Sequence, residues 1–178
     1  MSLNSKMFKF HKNLHAWEWN TNPKILDLKD NLIDEFTALE DKNTPLIDKE
    51  LEQLIGPQIL GLVQAQYECG DVTNVTDLLF SFQNKDNPLK PLEIDDNIEF
   101  RAMGFLQLPN DIKMNFTINY GDGQPDIIFE PKVGWLYTFP GHLNITPNTQ
   151  DSDEWLVMYN WGCSTSANIK SKLTEDRW

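Results

Sequence analysis

From residue 101 the chain reads Arg101-Ala102-Met103-Gly104-Phe105-Leu106-Gln107-Leu108-Pro109, and from residue 129 it reads Phe129-Glu130-Pro131-Lys132-Val133-Gly134-Trp135-Leu136-Tyr137-Thr138-Phe139-Pro140. Both are short apolar runs, rich in aromatic residues and closed by proline, which is the pattern of strands. The same pattern governs everything beyond Gly70, with strands expected at 75–82, 98–108, 114–120, 126–129, 134–139 and 155–161. Turns are expected at Leu108-Pro109-Asn110-Asp111, at Tyr120-Gly121-Asp122-Gly123 and at Pro131-Lys132-Val133-Gly134, all rich in residues that accept turn geometry. Several short strands at close spacing predict an antiparallel sandwich, barrel or jelly roll.

Before Gly70 the period is helical. Asn22-Pro23 supplies a cap and a first-turn proline, and Ile25, Leu28, Leu32, Ile33, Phe36 and Leu39 then recur at helical steps. Asn43-Thr44-Pro45 restarts the logic for Leu46, Ile47, Leu51, Leu54 and Ile55, after which Gly56-Pro57 is expected to break or kink the helix. A more apolar segment through Ile59, Leu60, Leu62 and Val63 follows, and a short strand is expected within 8–19. The chain is therefore expected to be one α+β domain over 1–178. Its parts are a mainly helical buttress (1–70), a β core (71–165) and a C-terminal tail (166–178).

Composition narrows the partners. A chain of 178 residues suits one domain, which buries roughly 70% of its unfolded surface. The formal net charge of -12 repels phosphate backbones, so nucleic acid is not expected as a partner. Arg101 and Arg177 are the only arginines, which leaves just two places for a bidentate fork to carboxylate or phosphate. Cys69 and Cys163 cannot form a disulfide framework or a Cys-rich zinc site, and read as plain thiols. No stretch approaches the ~20 apolar residues of a membrane helix, and the first residues carry no cleavable apolar leader, so no membrane partner and an intracellular location are expected.

Three passages resemble the 2-oxoglutarate/iron(II) dioxygenases, the group of the prolyl 4-hydroxylases and many phage-encoded relatives. Residues 101–109 are similar to the family strand that opens with arginine, and 129–140 resemble the "P-K-x-G-x-L-x-x-F-P" strand leading to the last iron-binding histidine. Glu154-Trp155-Leu156-Val157-Met158-Tyr159-Asn160-Trp161 looks like the family's final strand. The likeness spans roughly 95–161. It implies N-terminal helices packed on a C-terminal antiparallel double-stranded β-helix (jelly roll), with Fe(II) and 2-oxoglutarate as cofactors. A small molecule or a protein side chain would be the substrate.

The resemblance also implies where ligands should stand. Iron in this family needs two histidines and one carboxylate. The family's His-x-Asp pair falls where this chain has Leu92-Glu93-Ile94-Asp95-Asp96-Asn97, which offers carboxylates and no histidine. His142 arrives two or three residues ahead of the distal histidine, so the expected metal set is His142 with Asp95 or Asp96. A third ligand would come from Glu99, Asn97 or water. The simpler reading of His142 is a polar loop residue at a strand end. The arginine that normally holds the cosubstrate's carboxylate is replaced by Trp155; Arg101 can substitute from a neighbouring strand, although an exposed ion pair is the plainer expectation.

Other templates are weaker. The chain has no Gly-x-Ser-x-Gly elbow, P-loop or His-Glu-x-x-His, and Gly121-Asp122-Gly123 reads as a hairpin turn. Asp95 or Asp96 with Glu99 form a conceivable acid/base pair, while Asp151, Asp153 and Glu154 read as a solvated turn. Trp17, Trp19, Trp135 and Trp161 are expected to pack rather than to stack on a ligand. Two functions follow: an oxygenase whose metal site is altered or lost, or a noncatalytic jelly roll for binding or assembly. The low-Arg, high-Asn and high-Lys usage would fit a phage-related gene, and an oligomer is compatible with either function.

Overall fold

The computed structural model describes residues 6–11, 14–18, 29–39, 46–47, 49–88, 97–111, 113–119, 126–147 and 151–167. In chain order these hold β1 (Lys6–His11), β2 (Leu14–Glu18), α1 (Lys29–Ala38), β3 (Leu46–Ile47) and α2 (Lys49–Tyr67). The strands β4 (Val72–Asn74), β5 (Leu79–Gln83), β6 (Phe100–Gln107), β7 (Phe116–Asn119), β8 (Ile127–Phe129), β9 (Trp135–Pro140), β10 (Asn144–Pro147) and β11 (Leu156–Thr165) follow.

Eight strands form one sheet in the order β1-β2-β9-β6-β11-β5-β3, with β4 also on β11, and three form a second sheet in the order β10-β7-β8. Every pairing is antiparallel. β11 runs through the middle of the large sheet, between β6 and β5, and nine of its ten residues are buried. Such a strand has both faces covered, so its sequence reads as a nearly continuous apolar run rather than an alternation.

The alternation still sorts the side chains. Phe100, Ala102 and Leu106 of β6 join Val157, Tyr159 and Trp161 of β11 in a core shared with Leu32 and Phe36 of α1 and with Ile55, Ile59 and Val63 of α2. The intervening Met103 and Phe105, with Leu156 and Met158, belong to a second core shared with Phe116 and Ile118 of β7, Phe129 of β8 and Ile145 of β10. The large sheet is thus sandwiched between the helices and the small sheet.

Several boundaries differ from the sequence reading. α2 runs unbroken through Gly56-Pro57. Pro57 is exposed, so the carbonyl it displaces can face water, and the Gln58 side chain donates to the Leu54 carbonyl at 3.1 Å. Gly56 has its own role, because a Cβ there would sit 2.7 Å from Cη2 of Trp161. Leu46 and Ile47 pair with β5 rather than opening the helix. The expected strand at 75–82 splits into β4 and β5, since Val75 and Thr76 both turn their N–H groups onto the Gly162 carbonyl. The strand expected within 8–19 is a hairpin of β1 and β2, and β10 was not anticipated. Residues 22–28 and 43–45 lie outside the described residues.

Candidate functional site

The large and small sheets face each other across the core built on β6, β11 and β7. Four rings close a circuit there: Phe105 meets Phe116 at 5.3 Å, Phe116 meets Phe129 at 5.6 Å, Phe129 meets Tyr137 at 5.0 Å, and Tyr137 returns to Phe105 at 5.7 Å. These separations are those of favourable edge and offset contacts, so the rings fill the space as well as line it. The Tyr137 hydroxyl accepts from the Lys132 N–H at 3.1 Å. Burial pushes the Tyr137 phenol up to about 12 and the Cys163 thiol on the helix side up to about 12.

One end of this core is polar. On β6 the alternation that points Met103 and Phe105 between the sheets brings Arg101 to the same side, and on β11 it does so for Asn160. Arg101 is 5% exposed and Asn160 7%. Arg101 stands in register with Phe139 of β9 and with Gly162 of β11, inside the sheet rather than on the exposed surface expected for it. Its strand lies inside the sheet, and the guanidinium is drawn in with it. At this end β9 turns into β10 through Gly141 and His142, and the Gly141 N–H donates to the Glu99 carbonyl at 2.8 Å. A Cβ at Gly141 would overlap the Ile98 carbonyl, so this close crossing requires glycine.

Glu99 is committed to β11. Its Oε2 accepts from the Thr165 hydroxyl at 2.8 Å, the Thr165 N–H at 3.0 Å and the Ser164 hydroxyl at 3.3 Å. His142 is exposed on the turn. Three residues further on, near where the distal histidine was expected, Ile145 is 1% exposed and packed in the core between the sheets. Trp155 faces the helices, edge-on to Phe36 at 5.4 Å, and the next residue, Leu156, fills the space between the sheets. Asp95 and Asp96 lie outside the described residues.

The acidic cluster near residue 151 sits at the opposite end, where β11 begins and β6 ends. Asp153 pairs with Lys85 at 2.7 Å, Glu154 Oε2 accepts from the Asn110 N–H at 2.7 Å, and the Ser152 hydroxyl donates to Asp111 at 2.6 Å. These bonds tie three loops together. Sequence reasoning missed Asn160, although its spacing from Leu156 and Met158 on one strand was the available signal.

Iron and 2-oxoglutarate, which the resemblance implies, meet an unsuitable donor set. A two-histidine, one-carboxylate triad needs a second histidine, and His11 and His15 stand on β1 and β2, beyond β9 at the sheet's edge. Among the described residues no three His, Cys, Asp or Glu side chains are grouped to hold a metal. No helix among them is long and apolar enough to cross a membrane.

No family model matches the sequence, and no curated protein does. Solved structures do match. The chain is similar to the non-heme alpha-ketoglutarate-dependent carbocyclase SnoK from nogalamycin biosynthesis, with a TM-score of 0.61 and 9% identity over 86% of this chain and 80% of that one. A prolyl-4-hydroxylase from Pseudomonas putida gives a TM-score of 0.54 at 12% identity, over 84% of this chain and 91% of that one. An oxidoreductase of the 2OG-Fe(II) oxygenase family from Burkholderia pseudomallei gives 0.56 at 10%, over 90% and 72% respectively. The fold is therefore like that of the 2-oxoglutarate/iron(II) oxygenases.

Proposed function

We propose that this protein uses an oxygenase-like fold as a noncatalytic binding or assembly module. One observation carries the reading: near where a distal histidine was expected Ile145 is packed into the aromatic core between the sheets, and where a cosubstrate-holding cation was expected Trp155 packs edge-on against Phe36. Apolar residues there supply neither a ligand for a metal nor a counter-charge for a carboxylate. The module is expected to act on protein partners or to self-associate, in keeping with a phage-related accessory role.

The second reading is a hydroxylase using Fe(II) and 2-oxoglutarate, with His142 and Asp95 or Asp96 as its altered metal set. The likeness to a prolyl-4-hydroxylase structure favours it. Incubation with Fe(II), ascorbate, oxygen and 2-oxoglutarate separates the two. The noncatalytic reading expects succinate at the level of buffer alone, whereas succinate release that His142→Ala abolishes would establish the enzyme.

A further inference from the structure

We propose that Cys69 and Cys163 are a paired dithiol, which a small-molecule disulfide closes into an intrachain bridge tying the end of α2 to β11. Both thiols are free, Cys69 half-buried and Cys163 buried. Both belong to the core on the helix side: Cys163 is enclosed in it, and Cys69 packs against the same cluster. The segment that carries Cys69 is pinned around Cys163 from both sides. Before Cys69, Tyr67 stacks on Phe100 at 4.4 Å, and Phe100 is the residue of β6 in register with Cys163. The Cys163 thiol itself donates to the Phe100 carbonyl at 3.6 Å. After Cys69, the Gly70 carbonyl accepts from the Gln64 amide at 3.3 Å, and the Asp71 carbonyl accepts from the Ser166 N–H at 2.9 Å, just past the end of β11. Glu68, left-handed at φ 48°, ends α2 and turns the chain back towards that strand. Burial raises both thiols, the neighbouring Cys69 adds to the rise at Cys163, and Glu99 adds to both.

Exposure sets the order of events. Cys69 attacks oxidised glutathione; one glutathione leaves as the thiolate and takes up the proton that Cys69 gave up. Cys163 then attacks the Cys69 sulfur of the mixed disulfide, and the second glutathione leaves with the proton of Cys163. The chain has lost two hydrogens, and one oxidised glutathione has become two reduced ones. The full chain is equilibrated in glutathione buffers of graded redox ratio, folded and in urea, then quenched with acid and read by intact mass. The folded protein is expected to hold the bridge in buffers at least about tenfold more reducing than the unfolded chain tolerates, because a bridge that fits the native state stabilises it. Cys163→Ala should stop at one glutathione on Cys69, and Cys69→Ser should take up none; the opposite pattern overturns the proposal. Near-ultraviolet circular dichroism checks the fold of each variant, and peptide mapping of the bridge in the parent needs no variant at all. The proposal is also overturned if the folded parent accumulates mixed disulfide or linked dimer in place of the bridge, or bridges no more readily than in urea.

Discussion

The two faces of the large sheet are built differently. Towards the helices the core mixes aliphatic side chains with rings, and glycine lets elements approach: Gly56 admits Trp161, and Gly104 admits the ring of Tyr159. Towards the small sheet four rings meet in a circuit, with Met103, Met114 and Met158 filling around them. The first face is where any helix-buttressed sheet buries its apolar stripe. On the second, ring contacts fill the space between the two sheets.

The largest effect that would break this contrast is expected at the ring circuit. Phe105→Ala should cost about 3–5 kcal/mol, as for other large-to-small changes at sites this buried, measured by urea unfolding. A loss below about 1 kcal/mol would mean that the space between the sheets is loosely filled and able to admit a ligand. Gly104→Ala should follow, because its new methyl group would overlap the Tyr159 ring; overpacking of this kind costs about 1–3 kcal/mol. Gly61→Ala on the exposed side of α2 meets nothing within 4 Å and should instead stabilise by up to about 1 kcal/mol.

The next test is alkaline. Tyr137 is neutral when folded and raised to about 12, so the unfolded chain gives up this proton first. Its contribution is fully present below pH 10, the ordinary tyrosine value, and is lost as pH rises towards 12. Cys163 acts likewise over the window from 9 to about 12. Tyr137→Phe should flatten the decline above pH 10 while costing about 1 kcal/mol at neutral pH, since the Lys132 N–H loses its acceptor. An unchanged alkaline slope in that variant would contradict the assignment. The smallest change is expected at Lys85→Ala, whose pairing with Asp153 is exposed on both sides; no measurable shift in unfolding midpoint should result.

Much of the fold was legible because burial on two faces leaves a simple trace. The apolar run in β11 and the period of two in β6 and β9 located the central sheet, and helical spacing located α1 and α2. β10 escaped because Asn144 and Pro147 look like turn residues; Pro147 is tolerated where the strand opposes the end of β7. α2 looked interrupted at Gly56-Pro57 because sequence cannot tell a solvent-facing proline from a buried one. At the candidate site, spacing drew attention to His142 but gave no sign that it would stand exposed on a turn. For Arg101 the reverse held: a charged residue opening an apolar run gives no sign that its strand will lie inside a sheet. Only pairing to both β9 and β11 reveals that.

The proposed reading, that the packed space between the sheets holds no metal, is met most directly by anaerobic calorimetric titration of Fe(II) into the parent protein and His142→Ala. The account predicts no saturable heat in either. A stoichiometric binding event in the parent that disappears with His142 would contradict it.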